Sequence, residues 1–208
     1  MAVSKSYAYT EQRPDNQRVR FGGKAVYRHR VCAQLVGFEK QLTPVLQAMA
    51  PDLVVEIGTF RGGFTLFLSD CFPNAEIITY DVIDRAKFLD NVSNVERRIE
   101  NIFDTDYNLT SERFVQEVQM HDRVLVMCDG GNKKQEVITL SKVLKVGDYI
   151  MWHDYAEEPL RSQHRDTNKW QWFELQKSDI ESTLYEHGFE FVHPELQNVV
   201  WGCARKVT

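Results

Sequence analysis

A repeated alternation of short apolar runs with helix-like segments is the feature that most constrains the fold of this chain. The runs lie at residues 53–57, 76–81, 98–103, 123–129 and 149–154, and each of them carries or precedes an acidic residue at its end. Continuous apolar runs of this length are typical of strands that are buried on both faces of a parallel sheet. Because a helical segment separates neighbouring runs, the pattern predicts a doubly wound α/β sheet.

The two ends of the chain carry different signals. Apolar residues spaced three or four apart predict a helix face built from Tyr27, Val31, Leu35 and Phe38. Thr43-Pro44 predicts the start of a second short helix that ends near Pro51. Extended segments at 189–192 and 199–204, joined by a short connection, predict that one edge strand runs antiparallel. We therefore divide the chain into an N-terminal arm and lid, residues 1–50, and a sheet domain, residues 51–208.

Length and charge exclude several classes of protein. With 208 residues the chain can bury one sizeable core, and its net charge of −5 argues against long contacts with nucleic acid. A basic cluster near the N-terminus suits a solvated face or an acidic ligand better than RNA; its members are Arg18, Arg20, Lys24, Arg28 and Arg30. The four cysteines lack a C-x-x-C pair, which argues against zinc and for a reducing compartment. With no apolar leader or membrane-length run, we expect a cytoplasmic protein.

Acidic residues follow the strands at the edge where ligands of open α/β sheets bind, outside the carboxyl ends of the strands. These residues are Glu56, Asp81, Asp129 and Asp154, with Asp104 as a fifth. The glycines Gly58, Gly62 and Gly63 form a G-x-x-x-G-G turn after the first strand of the set. This turn lacks the G-x-G-x-x-G spacing of dinucleotide folds and the lysine of a phosphate-binding loop.

The residues around the glycine turn suit a cationic nucleoside. An acid at Glu56 is awkward for phosphates but suits a cation, and S-adenosylmethionine carries an ammonium and a sulfonium group. Asp81 ends the second strand, where an acid can accept both hydroxyls of a ribose. Phe103 and Asp104 end the third predicted strand, where an adenine would lie against the ring.

Four segments together resemble a known family. Val-Val-Glu-Ile-Gly-Thr-Phe-Arg-Gly-Gly at 54–63, with Tyr80-Asp81 after it, resembles motifs I and II of the class I S-adenosylmethionine-dependent methyltransferases. With Val-Met-Cys-Asp-Gly-Gly-Asn at 126–132 and Gly-Asp-Tyr-Ile-Met-Trp-His-Asp at 147–154, the chain is most similar to the catechol-type and the cephalosporin-hydroxylase-like and macrolide-sugar O-methyltransferases. The resemblance implies a Rossmann-like fold and methyl transfer to a hydroxyl of a small-molecule acceptor. It implies a cofactor site built from Glu56, Gly58, Thr59, Phe60, Gly62, Gly63, Asp81, Phe103, Asp104 and Asp129.

The same resemblance implies a divalent metal, magnesium or manganese, beside the transferred methyl group. The positions that bind it are Asp129, after strand four, and the adjacent pair His153 and Asp154, after strand five. The cation would hold two acceptor oxygens and lower the pKa of one of them. The relatives carry an acid or an amide where this chain has His153, and a histidine suits manganese, iron or zinc better than magnesium.

The catalytic base is the point at which the sequence departs from its relatives. They place a His or Lys three residues after the first acid, where this chain has Asn132, which cannot act as a base. Asn132 with Gln135 resembles a capping box and predicts a helix N-cap. Lys133 follows it, and His153, with a pKa that is ordinarily near neutral, is a second candidate base. The candidate catalytic residues are therefore Asp129, Lys133 and His153.

Plainer alternatives stay open for these residues. Strand-end acids also cap helices, Asp129 and Asp154 could pair with Lys133, and His153 could simply bond a neighbour. The polar loop at 155–169 and the tryptophans Trp170 and Trp172 form either an acceptor-binding lid or a helix that packs against the core or a second copy of the chain. Two other functions also stay open: a non-catalytic S-adenosylmethionine-binding protein, and an oxidoreductase that uses a nicotinamide cofactor.

Overall fold

The structure is a computed structural model that describes residues 25–168 and 171–208 in full. Before residue 25 it describes the backbone of short strand segments at 7–8, 11–12, 18–19 and 24. The side chains of Arg18, Arg20 and Lys24, and the whole of Trp170, lie outside the described residues.

The N-terminal part of the chain begins with strands. These are β1 (Tyr7–Ala8), β2 (Glu11–Gln12), β3 (Arg18–Val19), β4 (Lys24–Tyr27) and β5 (Arg30–Leu35), followed by helix α1 (Phe38–Met49). Strands β4 and β5 form an antiparallel hairpin, with Val26 opposite Val31, and β1 pairs with β4. The hairpin turns through Arg28 and His29, both of which have positive φ.

The predicted helix over Tyr27 to Phe38 is therefore wrong. Val31 and Leu35 are four residues apart, and an even spacing also puts two side chains on the same side of a strand. Pairing with β4 selects the extended form. The second predicted helix also starts elsewhere: α1 begins at Phe38, after Gly37 with its φ of 85°, so Thr43 and Pro44 lie inside it.

Among the described residues, seven strands form the main sheet. Its strands are β6 (Leu53–Ile57), β7 (Glu76–Asp81), β8 (Val95–Ile99), β9 (Val124–Cys128), β10 (Tyr149–Trp152), β11 (Phe189–Phe191) and β12 (Gly202–Lys206). Their order is β8-β7-β6-β9-β10-β12-β11. All neighbours from β8 to β10 are parallel, and β12 runs antiparallel to both β10 and β11. The predicted, mostly parallel α/β sheet with an antiparallel strand at one edge is confirmed.

Helices cover both faces of this sheet. They are α2 (Gly63–Cys71), α3 (Glu112–Met120), α4 (Lys133–Leu140), α5 (Leu160–Thr167) and α6 (Lys177–Glu186), with 3-10 helices at Lys87–Asn91 and Pro194–Val199. One hydrophobic cluster joins α1 and α2 to one face, through residues such as Leu42, Phe67 and Leu125. The other cluster joins α3, α4 and α6 to the opposite face, through residues such as Phe114 and Val126. The hairpin residues Ala25, Tyr27 and Cys32 belong to the first cluster.

Three further expectations are corrected. The third strand lies at Val95–Ile99 rather than at 98–103. Ile99 pairs with Asp81, the last residue of β7, so the ladder between the two strands ends there. Phe103 instead bridges Leu109 in the loop that follows. The segment 155–169, predicted to be a loop, contains α5, and the predicted helix after it begins only at Lys177.

None of the helices in the described ranges combines the length and the apolar character needed to cross a membrane.

Candidate functional site

The carboxyl ends of three neighbouring strands bring the predicted site residues to one rim. Ile57 of β6 lies opposite Cys128 of β9, and Cys128 lies opposite Trp152 of β10. The next peptide of each strand continues the ladder, since the Asp129 amide donates to Ile57 O at 2.9 Å and the His153 amide to Cys128 O at 3.1 Å. Gly58, Asp129 and His153 are therefore neighbours, as the parallel sheet predicts.

Two adjoining cavities open at this rim. The larger one, of about 620 Å³, extends over the ends of β6 and β7. The smaller one, of about 220 Å³, extends towards β10 and the β5 strand. Gly58, Phe60 and Asp129 line both cavities, so these residues form the boundary between them.

The glycine turn requires glycine at its first position. Gly58 has a φ of 99°, and a Cβ added there would lie 2.3 Å from the Asp129 carbonyl oxygen. Gly62 also has positive φ and is the N-cap of α2. Gly62 and Gly63 line neither of the two cavities; they let the turn pack closely against its protein neighbours.

Asp81 holds the glycine turn from the neighbouring strand. One of its carboxylate oxygens accepts the Phe60 amide at 2.7 Å, and the other accepts the Ile83 amide at 2.8 Å. Asp81 also lines the larger cavity. Its carboxylate therefore faces the space predicted for a ribose and at the same time orders the backbone around that space.

Glu56 lies beneath the turn and lines neither cavity. Its carboxylate is buried and accepts the hydroxyls of Thr65, at 2.6 Å, and Thr79. Burial raises the pKa of Glu56 to about 7. The structure thus differs from the expectation of direct contact with a cationic ligand: Glu56 points into the protein because a side chain on a buried strand faces one of the two covered sides of the sheet.

The far wall of the larger cavity comes from the loop after β8. Phe103 and Asp104 both line it, although they do not end a strand as predicted. Asp104 accepts the amides of Asp106 and Asn108, at 2.9 and 2.8 Å, and so orders its own loop. The aromatic ring and the acid are thus present at the wall where the adenine was expected.

The smaller cavity contains the candidate catalytic residues. Asp129, Lys133, His153 and Asp154 line it, opposite Trp172 and the β5 residues Val31, Cys32 and Ala33. His153 is buried, and its Nδ1 lies 3.0 Å from Asp129 Oδ1 and 3.6 Å from Asp154 Oδ1. Burial alone would lower the pKa of His153, but the two carboxylates outweigh it, so the pKa lies above its ordinary value.

Lys133 lies inside this acidic cluster. Its ammonium is 3.1 Å from Asp154 Oδ2, 3.1 Å from Glu174 Oε1 and 3.7 Å from Asp129 Oδ1, and it donates to the Gly130 carbonyl at 3.0 Å. Burial would lower its pKa, but these carboxylates raise it above the ordinary value. Lys133 is therefore a charged cation at the site. Ligand atoms of Asp129, His153 and Asp154 lie within 4.8 Å of one another, as the expected metal set requires.

Asn132 is the N-cap of α4, as the sequence predicts. Its side chain accepts the Gln135 amide at 3.3 Å. The second hydrogen bond of the predicted capping box comes from Glu136 and not from Gln135. The Glu136 carboxylate accepts the backbone amides of Asn132 and Gly130. Glu136 was missed by the sequence analysis. It is buried, it lines the larger cavity, and burial raises its pKa to about 7.

Gln34 is a second site residue that the sequence analysis missed. Its Nε2 donates to Asp129 Oδ2 at 2.9 Å, and its Oε1 accepts the Trp201 indole N–H at 2.7 Å. The side chain is fully buried. The available signal was a polar amide side chain inside the apolar run Val31–Val36. The sequence analysis placed this run on a predicted helix and named no partner for the amide.

The remaining site predictions concern the tryptophan segment and the basic arm. Trp172 lines the smaller cavity. Arg28 pairs with Asp70 at 2.8 Å, and the Arg30 guanidinium stacks over the Phe88 ring at 4.0 Å. These two basic side chains therefore attach the hairpin to α2 and to the 3-10 helix at Lys87–Asn91.

Comparison with known proteins supports the architecture. No family model and no curated protein matches the sequence. An apo structure of CmcI has a TM-score of 0.61 at 13% identity, covering 88% of this chain and 76% of CmcI. A structure of CmcI with Mg-SAM has a TM-score of 0.57 at 13% identity, with coverages of 95% and 82%.

A third solved structure is human N-acetylserotonin methyltransferase in complex with SAM. Its TM-score is 0.51 at 14% identity, covering 83% of this chain. This chain spans about half of that enzyme, 52% of its length. Together with the strand order and the antiparallel β12, these similarities identify the Rossmann-like fold of the class I methyltransferases as the fold of this chain.

Proposed function

We propose that this chain is an S-adenosylmethionine-dependent methyltransferase that acts on a hydroxyl group of a small-molecule acceptor. The observation that carries the proposal is the pair of adjoining cavities. The larger cavity has an acid positioned for a ribose, and the smaller one has a histidine–aspartate pair. Because Gly58, Phe60 and Asp129 line both, a group bound in one cavity would lie next to a group bound in the other.

The larger cavity suits the cofactor in size and in chemistry. Its volume lies in the range of about 300–1,000 Å³ that is typical of ligand sites. Asp81 would accept the ribose hydroxyls, Gly58 would let the cofactor approach the backbone, and Phe103 with Asp104 would contact the adenine. Thr59, Gly62, Gly63 and Glu56 would act indirectly by holding the turn in shape. The structure of human N-acetylserotonin methyltransferase, which has the same fold, is a complex with SAM.

The chain's own residues supply the acid–base chemistry. When bound, the cofactor supplies a methyl group on an electrophilic sulfonium. Asp129 holds Nδ1 of His153, so His153 would receive the acceptor's hydroxyl proton at Nε2. The acceptor's oxygen would bond to the methyl carbon as the bond from that carbon to sulfur breaks, with S-adenosylhomocysteine as the leaving group. The walls of the smaller cavity would orient that oxygen and exclude water, and positioning would carry much of the rate.

The rim does not fit a divalent metal in addition to its own cation. The ligand atoms of Asp129, His153 and Asp154 are close enough for one ion, but the Lys133 ammonium already contacts both aspartates. We therefore assign no step to magnesium or manganese, although a structure of CmcI carries Mg-SAM.

Residues 1–50 would cap the site. In their described part, the β5 residues Val31, Cys32 and Ala33 line the smaller cavity, and Gln34 holds Asp129. The cap would thus select the acceptor. A net charge of −5 favours a small-molecule acceptor over nucleic acid as the partner.

The Asp81→Ala variant tests the cofactor site. We expect it to weaken S-adenosylmethionine binding by about 1.5–3 kcal/mol, the scale of a charged hydrogen bond, when measured by calorimetry. Asp122→Ala is the matched control, since Asp122 is exposed at the opposite end of β9. Equal affinity of Asp81→Ala and the wild type would remove Asp81 from the site.

A non-catalytic S-adenosylmethionine-binding protein is the second candidate. It is favoured by Asn132, which is a helix N-cap at the position where the relatives carry a base. Transfer of a labelled methyl group from the cofactor to a panel of phenols, sugars and other small alcohols separates the two candidates. Tight cofactor binding without transfer to any acceptor would support the second.

A further inference from the structure

Lys133 is a cation built into the place where the sequence resemblance predicts a divalent metal. It is 5% exposed and lies within 3.7 Å of carboxylate oxygens from Asp129, Asp154 and Glu174. Its fourth polar contact is the Gly130 carbonyl. An ammonium surrounded by three carboxylates and a carbonyl has the oxygen-rich surroundings that a hard divalent cation also prefers.

Electrostatics argues against a second cation beside it. An ion bound to Asp154 at about 2.1 Å would lie within roughly 5 Å of the Lys133 ammonium. Like charges at that distance repel strongly inside a protein, where screening by water is weak. The aspartates, which would otherwise repel each other, are already bridged by Lys133, so the charge reason for a metal between them is weakened.

Two of the three expected ligands are also bonded to each other. Nδ1 of His153 lies 3.0 Å from Asp129 Oδ1, so this nitrogen is not available to an ion. Gln34 holds the other oxygen of Asp129. The carboxylate of Asp129 is thus fixed on both sides by protein donors.

We propose that the Lys133 ammonium replaces the divalent cation at this rim, so that the site is metal-independent. This proposal concerns only the charges of the cluster. Removing the ammonium, without removing the acids, should then create a metal site.

Binding of Mn²⁺ alone tests the replacement without cofactor or acceptor. We expect wild-type protein to show no site for Mn²⁺ in calorimetry or in electron paramagnetic resonance. Lys133→Met removes the charge and keeps most of the length of the side chain; it should bind Mn²⁺ at least about tenfold more tightly than wild type. The additional change Asp129→Asn should remove that site.

Lys134→Met is the matched control. Lys134 is the neighbouring residue, and its ammonium pairs instead with Asp179 at 2.9 Å, outside the cluster. This variant should bind Mn²⁺ no better than wild type. Lys133→Gln provides a second neutral side chain should the methionine variant fail to fold.

Two results would overturn the inference. One is a saturable wild-type Mn²⁺ site that Asp129→Asn abolishes, which is readable even if no Lys133 variant folds. The other is a folded Lys133→Met or Lys133→Gln protein that gains no affinity for Mn²⁺. Because neither result involves methyl transfer, a failure of the proposed function would appear separately, as an absence of S-adenosylmethionine binding or turnover.

Discussion

At the scale of single residues, the site depends on buried polar groups that hold one another in place. Gln34 is central to this arrangement because it joins Asp129 to Trp201, residues that lie far apart in the sequence. A buried donor or acceptor that loses its partner costs about 1–3 kcal/mol. Gln34 therefore acts as a positioning residue, since it fixes the carboxylate that holds His153.

Replacing Gln34 by leucine should separate positioning from cofactor binding. The change leaves the Trp201 N–H and one Asp129 oxygen without their partner, so we expect a loss of about 1–3 kcal/mol in unfolding free energy. The turnover number should fall, while the affinity for S-adenosylmethionine stays near that of wild type. Gln47→Leu, on the exposed side of α1, is the control. A Gln34→Leu enzyme with wild-type turnover would show that Asp129 needs no such support.

At the scale of elements, the N-terminal hairpin is joined to the glycine turn through Gly63. A Cβ at this position would lie 2.6 Å from the carbonyl oxygens of both Arg30 and Val31, and 2.8 Å from Cys32 Sγ. The first residue of α2 therefore touches the backbone of β5. This contact explains why the turn has a second glycine although Gly63 lines neither cavity.

Gly63→Ala should push the hairpin away from α2. Forcing a methyl group into a packed contact typically costs about 1–3 kcal/mol, which chemical denaturation would detect. Because β5 lines the smaller cavity, we expect the Michaelis constant for the acceptor to rise more than the dissociation constant of the cofactor. Gly131→Ala is the control for stability alone, since a Cβ there would meet nothing within 4 Å but Gly131 lines the larger cavity. Equal unfolding free energies for the two variants would show that the close contact between Gly63 and β5 does not contribute to stability.

At the scale of the whole molecule, two buried carboxylic acids should set the response of stability to pH. Burial raises the pKa of Glu56 and of Glu136 from 4.5 to about 7. The folded state therefore binds protons more tightly than the unfolded chain does. Their contribution to stability is fully present below about pH 4.5 and is lost as the pH rises through about 7.

Urea unfolding at pH 5 and at pH 7.5 measures this contribution. A shift of this size corresponds to a free energy on the order of 3 kcal/mol for each acid. We expect Glu56→Gln and Glu136→Gln each to reduce the loss of stability between the two pH values. Glu190→Gln, an exposed acid on β11, should leave the loss unchanged. Parallel pH profiles for all four proteins would mean that these acids are not buried as described.

Much of the sheet was predictable because buried strands have a recognisable local pattern of apolar residues. The buried runs of β6, β7, β9 and β10, the turn at Gly58 and the N-cap at Asn132 follow from periodicity and from residue type. The acids at the carboxyl ends of parallel strands follow from the same logic, because those ends share one rim. Asp81, Asp129, His153 and Asp154 were therefore brought to the rim as expected, and the fold of the class I methyltransferases is confirmed.

The alternation of strands and helices from β6 to β10, the glycine turn and the acids Asp81, Asp129 and Asp154 at the strand ends were thus predictable, since each depends on residues near one another in the chain. Contacts between distant parts of the chain set the rest: residues 24–35 form a hairpin, Glu56 points inward and Gln34 meets Asp129. They also place the Lys133 ammonium among Asp129, Asp154 and Glu174. Pairing, burial and charge compensation depend on partners distant in sequence, and a local pattern does not encode which partner comes near.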